Sequence, residues 1–341
     1  MVEMKWGVLS TARIGLKNAI PGIAAAEGCT VAAIASRDGA RAEAAAKAAG
    51  IPRAHASYEA LLADPEIEAV YNPLPNHLHA PWTIAALKAG KHVLCEKPVA
   101  LSADEAREVE RVAAETGRIA VEAFMVRHHP QWRRVRRMVA EGRIGTPRVI
   151  HTIFAYHNVD PANIRNRADI GGGGGLYDIG CYAIATARLV FGAEPERVIG
   201  EFDIDPEMGT DRLTSAIVVF PGGARLVFSV ATQGVPRQNV EVLGTTGRIM
   251  VPLPFNAPPD HPTRLIVDDG SDVTGGSAET VEVGAANQFT LQAEAFRAAV
   301  RGERGPHGAA GPEWGMDDAV LNMRVIDALM RSRVSGAWER P

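Results

Sequence analysis

Through residues 1–125, short apolar runs alternate with alanine-rich helical stretches, and this constrains the fold more than any other feature of the chain. "KWGVLS" precedes a helical segment from about Arg13 to Ala26, and "TVAAIAS" precedes one near Arg41 to Ala49. "EAVYNPL" leads into "HLHAPWTIAALKAG", and "HVLCE" into "SADEAREVERVAAETG", where Ser102 and Glu105 have the spacing of a capping box. "RIAVEAF" reads as a fifth strand. A strand that is apolar on both faces needs cover on both, and a helix after each strand supplies it. The pattern therefore predicts an α/β domain built on a doubly wound parallel sheet.

After "PQWRRVRRMVAEGRIG", read as a helix, the period changes. "RVIHTIFAYH", "ERVIGEFDI", "TSAIVVFPGGARLVFSVAT", "QNVEVLGTTGRIMVP" and "TRLIVDD" alternate apolar with polar residues, and Gly-containing turns join several of them. That is the pattern of a large, mostly antiparallel sheet with one covered face. The helical stretches "NQFTLQAEAFRAAVRGE" and "MDDAVLNMRVIDALMRSR" follow. The expected plan is a dinucleotide-type domain over 1–125 and an α+β domain over 126–341, which suits a chain of 341 residues.

Composition narrows the function classes. A net charge of -4 gives no reason to expect nucleic acid or an anionic membrane as partner. No apolar run reaches the roughly 18 residues of a membrane span. The opening "MVEMKWGVLS" reads as a strand rather than a signal peptide, so a cytoplasmic location is expected. Cys29, Cys95 and Cys181 form no CxxC or Cys/His spacing, and no metal is expected.

The first strand runs into "GVLSTARIG", where Ser10 and Ala12 occupy the first two glycine slots of a G-x-G-x-x-G turn and Gly15 the third. Small residues there let backbone N–H groups and a helix N-terminus approach a pyrophosphate, so Ser10, Thr11, Ala12, Arg13 and Ile14 are candidate cofactor contacts. The other reading is a tight turn in a nucleotide-free α/β protein. At the end of the second strand, Ser36 and Arg37 offer a hydroxyl and a guanidinium where an NAD-binding domain usually places an acid. They suit a 2′-phosphate, which favours NADP over NAD. Asp38 is read either against that preference or as the cap of the next helix.

The third and fourth strands end in "YNPLPNHLH" and "CEKP". Ligands of open α/β sheets bind at such ends, which puts Lys97 at the mouth of the sheet between Glu96 and Pro98. The plain alternative is a solvated lysine. Pro73, Asn76, His77, Glu96 and Lys97 join the candidate cofactor contacts, and Asn76 is also read as a helix cap. His79 stands in the same stretch as Asn76 and His77. Further on, "GGGGGLYDIGCY" places five glycines ahead of Asp178 and Tyr182, which share one face of a helix starting near Leu176. The run reads as a linker or as a place where backbone must pass close to a ligand. Tyr182 reads as a reactive group or as a core residue.

"GVLSTARIG", "NPLPNHLHAPWTIAALKAGKHVLCEKP" and "GGGLYDIGCY" together resemble the Gfo/Idh/MocA family of NAD(P)-dependent sugar oxidoreductases, in good order over residues 5 to about 185. The resemblance implies a Rossmann domain, an open-faced sheet through which copies form a homodimer or homotetramer, and a catalytic set of Lys97, Asp178 and Tyr182. The missing glycines and the tyrosine at the last catalytic position, where inositol dehydrogenases have histidine, point to the branch of xylose dehydrogenases, glucose–fructose oxidoreductase and dihydrodiol dehydrogenases. "DPANIRNRADIGGGG" resembles that branch too, making Asn163, Arg165 and Arg167 candidate contacts. The resemblance also implies that "MVRHHPQ", with Arg127 and His128, and "YHNVD" line the substrate pocket; His128 and His129 read equally as surface residues.

Chemistry follows from that set. Oxidising an alcohol carbon sends a hydride to the nicotinamide and a proton to a base, and Tyr182 is the expected base. A free phenol, with a pKa near 10, needs a nearby ammonium such as Lys97 to serve at pH 7. Asp178 is expected to grip the substrate hydroxyl or orient its neighbours. The expected activity is NADP-dependent oxidation of an aldose, of the D-xylose or D-glucose type, to a lactone. Its rivals are reduction of a keto-sugar such as anhydrofructose, oxidation of a trans-dihydrodiol, and a regulator that binds cofactor without turnover.

Overall fold

The computed structural model describes residues 3–304 and 311–341. They fall into two compact units: Met1–Met125 with Asn287–Val320, and Val126–Ala286 with Leu321–Pro341. No described helix is long and apolar enough to cross a membrane.

Among the described residues the first unit holds a six-stranded parallel sheet. Its strands are β1 (Met4–Leu9), β2 (Cys29–Ala35), β3 (Arg53–His55), β4 (Ala69–Asn72), β5 (His92–Glu96) and β6 (Ala120–Ala123). They are interleaved with α1 (Ile20–Ala25), α2 (Gly39–Ala49), α3 (Tyr58–Leu62), α4 (His79–Lys88) and α5 (Ala103–Thr116). The order β3-β2-β1-β4-β5-β6 reverses between β1 and β4, and in doubly wound sheets the binding crevice opens at that switch, at the carboxyl ends of the strands. Trp6, Val8 and Leu9 of β1 are fully buried because the strand is covered on both faces. β3 and α3 were not anticipated, so "RIAVEAF" forms the sixth strand instead of the fifth. A three-residue, half-exposed strand carries no apolar period to detect. The capping box of α5 is made with a shift: the Ser102 hydroxyl accepts from the Glu105 N–H, while the Glu105 carboxylate accepts from Leu101.

The second unit carries α6 (Pro130–Ala140), α7 (Cys181–Phe191) and β7 (Pro147–His157), β8 (Arg197–Ile204), β9 (Asp211–Val219), β10 (Arg225–Ala231), β11 (Gln233–Gly244), β12 (Arg248–Val251), β13 (Thr263–Asp268) and β14 (Glu279–Val283). These strands form one eight-stranded sheet in the order β14-β13-β12-β11-β7-β10-β9-β8. Every pairing is antiparallel except β7 with β10. Alternation sorts the two faces. Ile150, Phe154, Leu226, Phe228, Ala216 and Val218 are buried on one, whereas Ile153, Leu213 and Ile217 are about two-fifths exposed on the other.

The expected unbroken 126–341 domain needs one correction. The helix α8 (Gln288–Arg301) belongs with the first unit, and the division falls inside α9 (Met316–Ser335) after Val320. Phe296 of α8 sets its ring 4.9 Å from that of Trp6. At Gly22 of α1 a Cβ would lie 2.5 Å from Phe289 Cβ, so glycine lets the two helices meet. Arg301 pairs with Glu68. These partners are more than 200 positions apart, and local periodicity cannot report such a return of the chain. Phe296→Ala should lower stability by about 3–5 kcal/mol, the range for truncating a buried aromatic. An unchanged urea midpoint would remove α8 from this core.

Candidate active site

At the carboxyl end of β1 the chain reverses through Ser10, which holds φ 79°, a left-handed conformation normally left to glycine. Its hydroxyl accepts from the Ala12 N–H at 3.2 Å, and helical backbone starts at Arg13. Serine thus makes here the turn that the missing glycine would make, and the amides of Thr11 to Ile14 stand at a helix start, as a pyrophosphate requires. At the end of β2 the Ser36 hydroxyl accepts from the Asp38 N–H, and the Asp38 carboxylate accepts from the Arg41 N–H as the N-cap of α2. Of the two readings of Asp38, the cap is therefore made. Arg37 is exposed beside the Tyr58 hydroxyl, whose pKa is raised by burial against the pull of that guanidinium. These residues fit a dinucleotide bearing a 2′-phosphate.

The Lys97 turn is built from buried polar groups. The Asn72 carboxamide donates to the carbonyl of His79 and to Thr83, and its oxygen accepts from the Leu74 N–H. The His79 ring lies between two carbonyls, Nδ1 at 2.7 Å from that of Pro98 and Nε2 at 2.6 Å from that of Leu74. Two acceptors at these distances favour a doubly protonated ring. Burial outweighs them, and with the Lys97 charge it lowers the pKa to about 4, leaving one N–H to donate near neutral pH. Glu96 accepts from the Tyr71 hydroxyl at 2.7 Å and from the Lys97 N–H, and Glu122 accepts from Val99. Lys97 itself is half-buried and precedes a cis-proline, Pro98. Asn76 opens a 3₁₀ turn with His77 and does not cap α4, whose N-cap position is Leu78.

In the second unit the five glycines have individual causes. Gly171, Gly172 and Gly174 adopt φ of 74°, 71° and 93°. A Cβ on Gly173 would stand 2.8 Å from the Arg165 carbonyl, and one on Gly174 only 1.8 Å from Asp211 Oδ1. Asp211 is buried, and burial raises its pKa; its Oδ2 accepts from the Leu176 N–H at 2.8 Å and the Thr214 hydroxyl at 2.6 Å. The run is a packed turn against Asp211 and the chain at 165–167, so the linker reading fails. The expected helix at Leu176 opens as a π-helical turn, Leu176–Gly180, before α7.

That turn delivers Asp178 to a prepared place. Arg165 Nε lies 2.8 Å from its Oδ1, and the Tyr156 hydroxyl donates to its Oδ2 at 2.6 Å. Burial and the adjacent carboxylate raise the Tyr156 pKa, so this phenol stays protonated and donates. Asp178 lifts Arg165 above its ordinary value. Tyr182, four residues on, is buried with its ring 5.9 Å from Phe154 and 5.3 Å from Phe255. One strand serves both, since Phe154 and Tyr156 are two apart on the same face of β7.

The remaining candidates separate. Asn163 accepts from the Arg165 N–H and so orients that residue, whereas Arg167 pairs with Asp169 in solvent. Arg127 and His128 are buried; burial, with Arg127 and Arg133, lowers the His128 pKa to about 3. His129 is buried as well and caps α6 by accepting from the Gln131 N–H, which corrects the surface reading of both histidines. Lys97 stands in the first unit, Asp178 and Tyr182 in the second. Tyr156 and Asp211 were missed as individuals. Tyr156 sat in a segment already marked, but an aspartate opening a strand carries no signal of its own. Among the described residues no group of three His, Cys, Asp or Glu side chains is placed to hold a metal ion. Gly174→Ala should be destabilising by about 1–3 kcal/mol through overpacking on Asp211. Gly192→Ala, also at positive φ but with nothing near its Cβ, measures the conformational part alone. Equal losses in thermal melts would mean that Asp211 does not press on the glycine turn.

Comparison with known proteins agrees with this geometry. Residues 4–124 match the model of the oxidoreductase family with an NAD-binding Rossmann fold, and residues 132–250 the GFO/IDH/MocA C-terminal domain. An uncharacterized oxidoreductase of Rhizobium meliloti is 48% identical, and the match covers 98% of each chain. A D-xylose 1-dehydrogenase (NADP(+)) of Haloferax volcanii is 38% identical, again over 98% of each. Among solved structures, the 3-ketoreductase KijD10 of Actinomadura kijaniata, in complex with NADP and TDP-benzene, superposes with a TM-score of 0.89 at 32% identity, covering 97% of this chain and 98% of the other. With both domain models matched in order and relatives alike from end to end, the chain belongs to the Gfo/Idh/MocA family of oxidoreductases.

Proposed function

We propose that this oxidoreductase uses NADP to oxidise an aldose of the D-xylose or D-glucose type at C1, giving the lactone. The observation that carries the proposal is Asp178 held between Arg165 and Tyr156 one step ahead of the buried Tyr182. The end-to-end likeness to an NADP-dependent xylose dehydrogenase supports the substrate class. Arg37, with Asp38 committed to its cap, supports NADP over NAD. Ser10 to Ile14, Pro73, Asn76, His77 and Glu96 are assigned to cofactor binding or to shaping its turn, and Arg127 and His128 to the substrate pocket.

The bound nicotinamide supplies the hydride acceptor. Tyr182 takes the hydroxyl proton as general base, and Lys97 is assigned to the catalytic set from its turn at the end of β5. Asp178 has both carboxylate oxygens engaged, so it serves to fix Arg165 and Tyr156 around the substrate and does not take the proton. A second reading, NADPH-dependent reduction of a keto-sugar, draws on the likeness to the 3-ketoreductase. In that direction Tyr182 gives the proton back.

Tyr182→Phe should reduce kcat by about 10²–10⁴, the usual contribution of one acid/base group, while NADPH still binds. Arg37→Ala should raise KM for NADP and leave KM for NAD nearly unchanged. Both are read from absorbance at 340 nm across aldoses and keto-sugars. Full turnover by Tyr182→Phe would sink the mechanism, and oxidation of no aldose alongside reduction of a keto-sugar would select the second reading.

We further propose that the open sheet face pairs with a second copy. In register, Val227 lies beside Ile217 and Ile217 beside Ile199, with Ile153 on the next row of that face and Leu213 one row further. An apolar patch at the middle of a sheet face is stable when covered. Ile217→Lys should convert the assembly to monomers in size-exclusion light scattering. A monomeric parent protein would overturn this pairing.

A further inference from the structure

α6 carries Arg133, Arg134 and Arg137 at spacings of one, three and four, which places all three on one side of the helix. Opposite them runs β14, the terminal strand of its sheet. Between lies a cleft of about 510 Å³, lined by Pro130, the three arginines, Val281, Glu282 and Val283. The lining brings three guanidinium charges against one carboxylate. Arg137 is only loosely held, 3.9 Å from Glu141 with both side chains largely exposed. Arg134 makes no ion pair or hydrogen bond with any described residue, and its Nε is buried. A buried donor left without an acceptor is unfavourable, more so when charged. An edge strand also presents backbone N–H groups on its unpaired side.

We propose that this cleft is an anion site for a phosphate group carried on a small molecule, with Arg134 as its principal contact. The planar fork of an arginine matches two phosphate oxygens at once, and Arg134 offers such a fork without a partner among the described residues. The volume suits a small organic phosphate, since ligand pockets run from about 300 to 1,000 Å³. The site does not depend on the hydride chemistry of Lys97 and Tyr182.

The test is calorimetric titration of the full-length protein with inorganic phosphate, pyrophosphate and ribose 5-phosphate at constant ionic strength. Wild type is compared with Arg134→Gln, Arg134→Lys, Glu282→Gln and Tyr182→Phe. The expected result is a binding event weakened about tenfold in Arg134→Gln, partly kept in Arg134→Lys, tightened in Glu282→Gln and unchanged in Tyr182→Phe. Tighter binding of ribose 5-phosphate than of inorganic phosphate assigns the site to organic phosphates. Equal affinity assigns it to the free ion and overturns the organic ligand. Identical isotherms for wild type and Arg134→Gln, or no binding at all, overturn the site. Circular dichroism on Arg134→Gln excludes unfolding as the cause of a loss, and Arg134→Lys keeps the comparison informative should that variant misfold.

Discussion

A buried carboxylate fixes where α7 begins. Asp211 takes the Leu176 N–H on one oxygen, and its other oxygen occupies the space that a side chain on Gly174 would need. The glycine run can therefore descend onto Asp211, turn, and release the chain into a π-helical turn. Unpaired, a carboxylate so buried would be strongly unfavourable. With the Leu176 amide and the Thr214 hydroxyl as donors it becomes an anchor, and the orientation of Asp178 and Tyr182 follows from it.

The site residues of the second unit are then matched by β7. A helix offers side chains four apart on one face and a strand offers them two apart, so Asp178 and Tyr182 find Tyr156 and Phe154 respectively. Arg165 completes the ring around Asp178 from a loop that Asn163 holds in shape. The first unit uses a different device. There the Lys97 turn hangs on His79, Glu96 and Glu122, which bond to the backbone of Pro98, Lys97 and Val99, while Asn72 ties the loop after β4 to the start of α4. Such networks work only when their members are satisfied, because a half-satisfied one is worse than an apolar core.

Much of this was legible from residue order. Both sheets announced themselves by period, continuous in one and alternating in the other, since the period records how many faces of a strand are covered. Lys97, Asp178 and Tyr182 stood out because they sit in dense local motifs. Arg165 stood out only through the family likeness. What stayed hidden was pairing across distance. Asp211 meets Leu176 across 35 positions, and Phe296 meets Trp6 across nearly the whole chain.

The amino-acid sequence by itself determined the longer strands and helices, the cap at Ser102, the turn at Ser10 and the family. Each of these is local, set by side-chain period, by hydrogen bonds within a few residues, or by a short motif. Tertiary structure alone decided that α8 joins the first unit, that Asp178 is shared by Arg165 and Tyr156, and that five glycines form a packed turn instead of a tether. The reason is physical. A buried polar group takes whichever partner the fold brings within 3 Å, and nothing in the neighbouring residues names that partner.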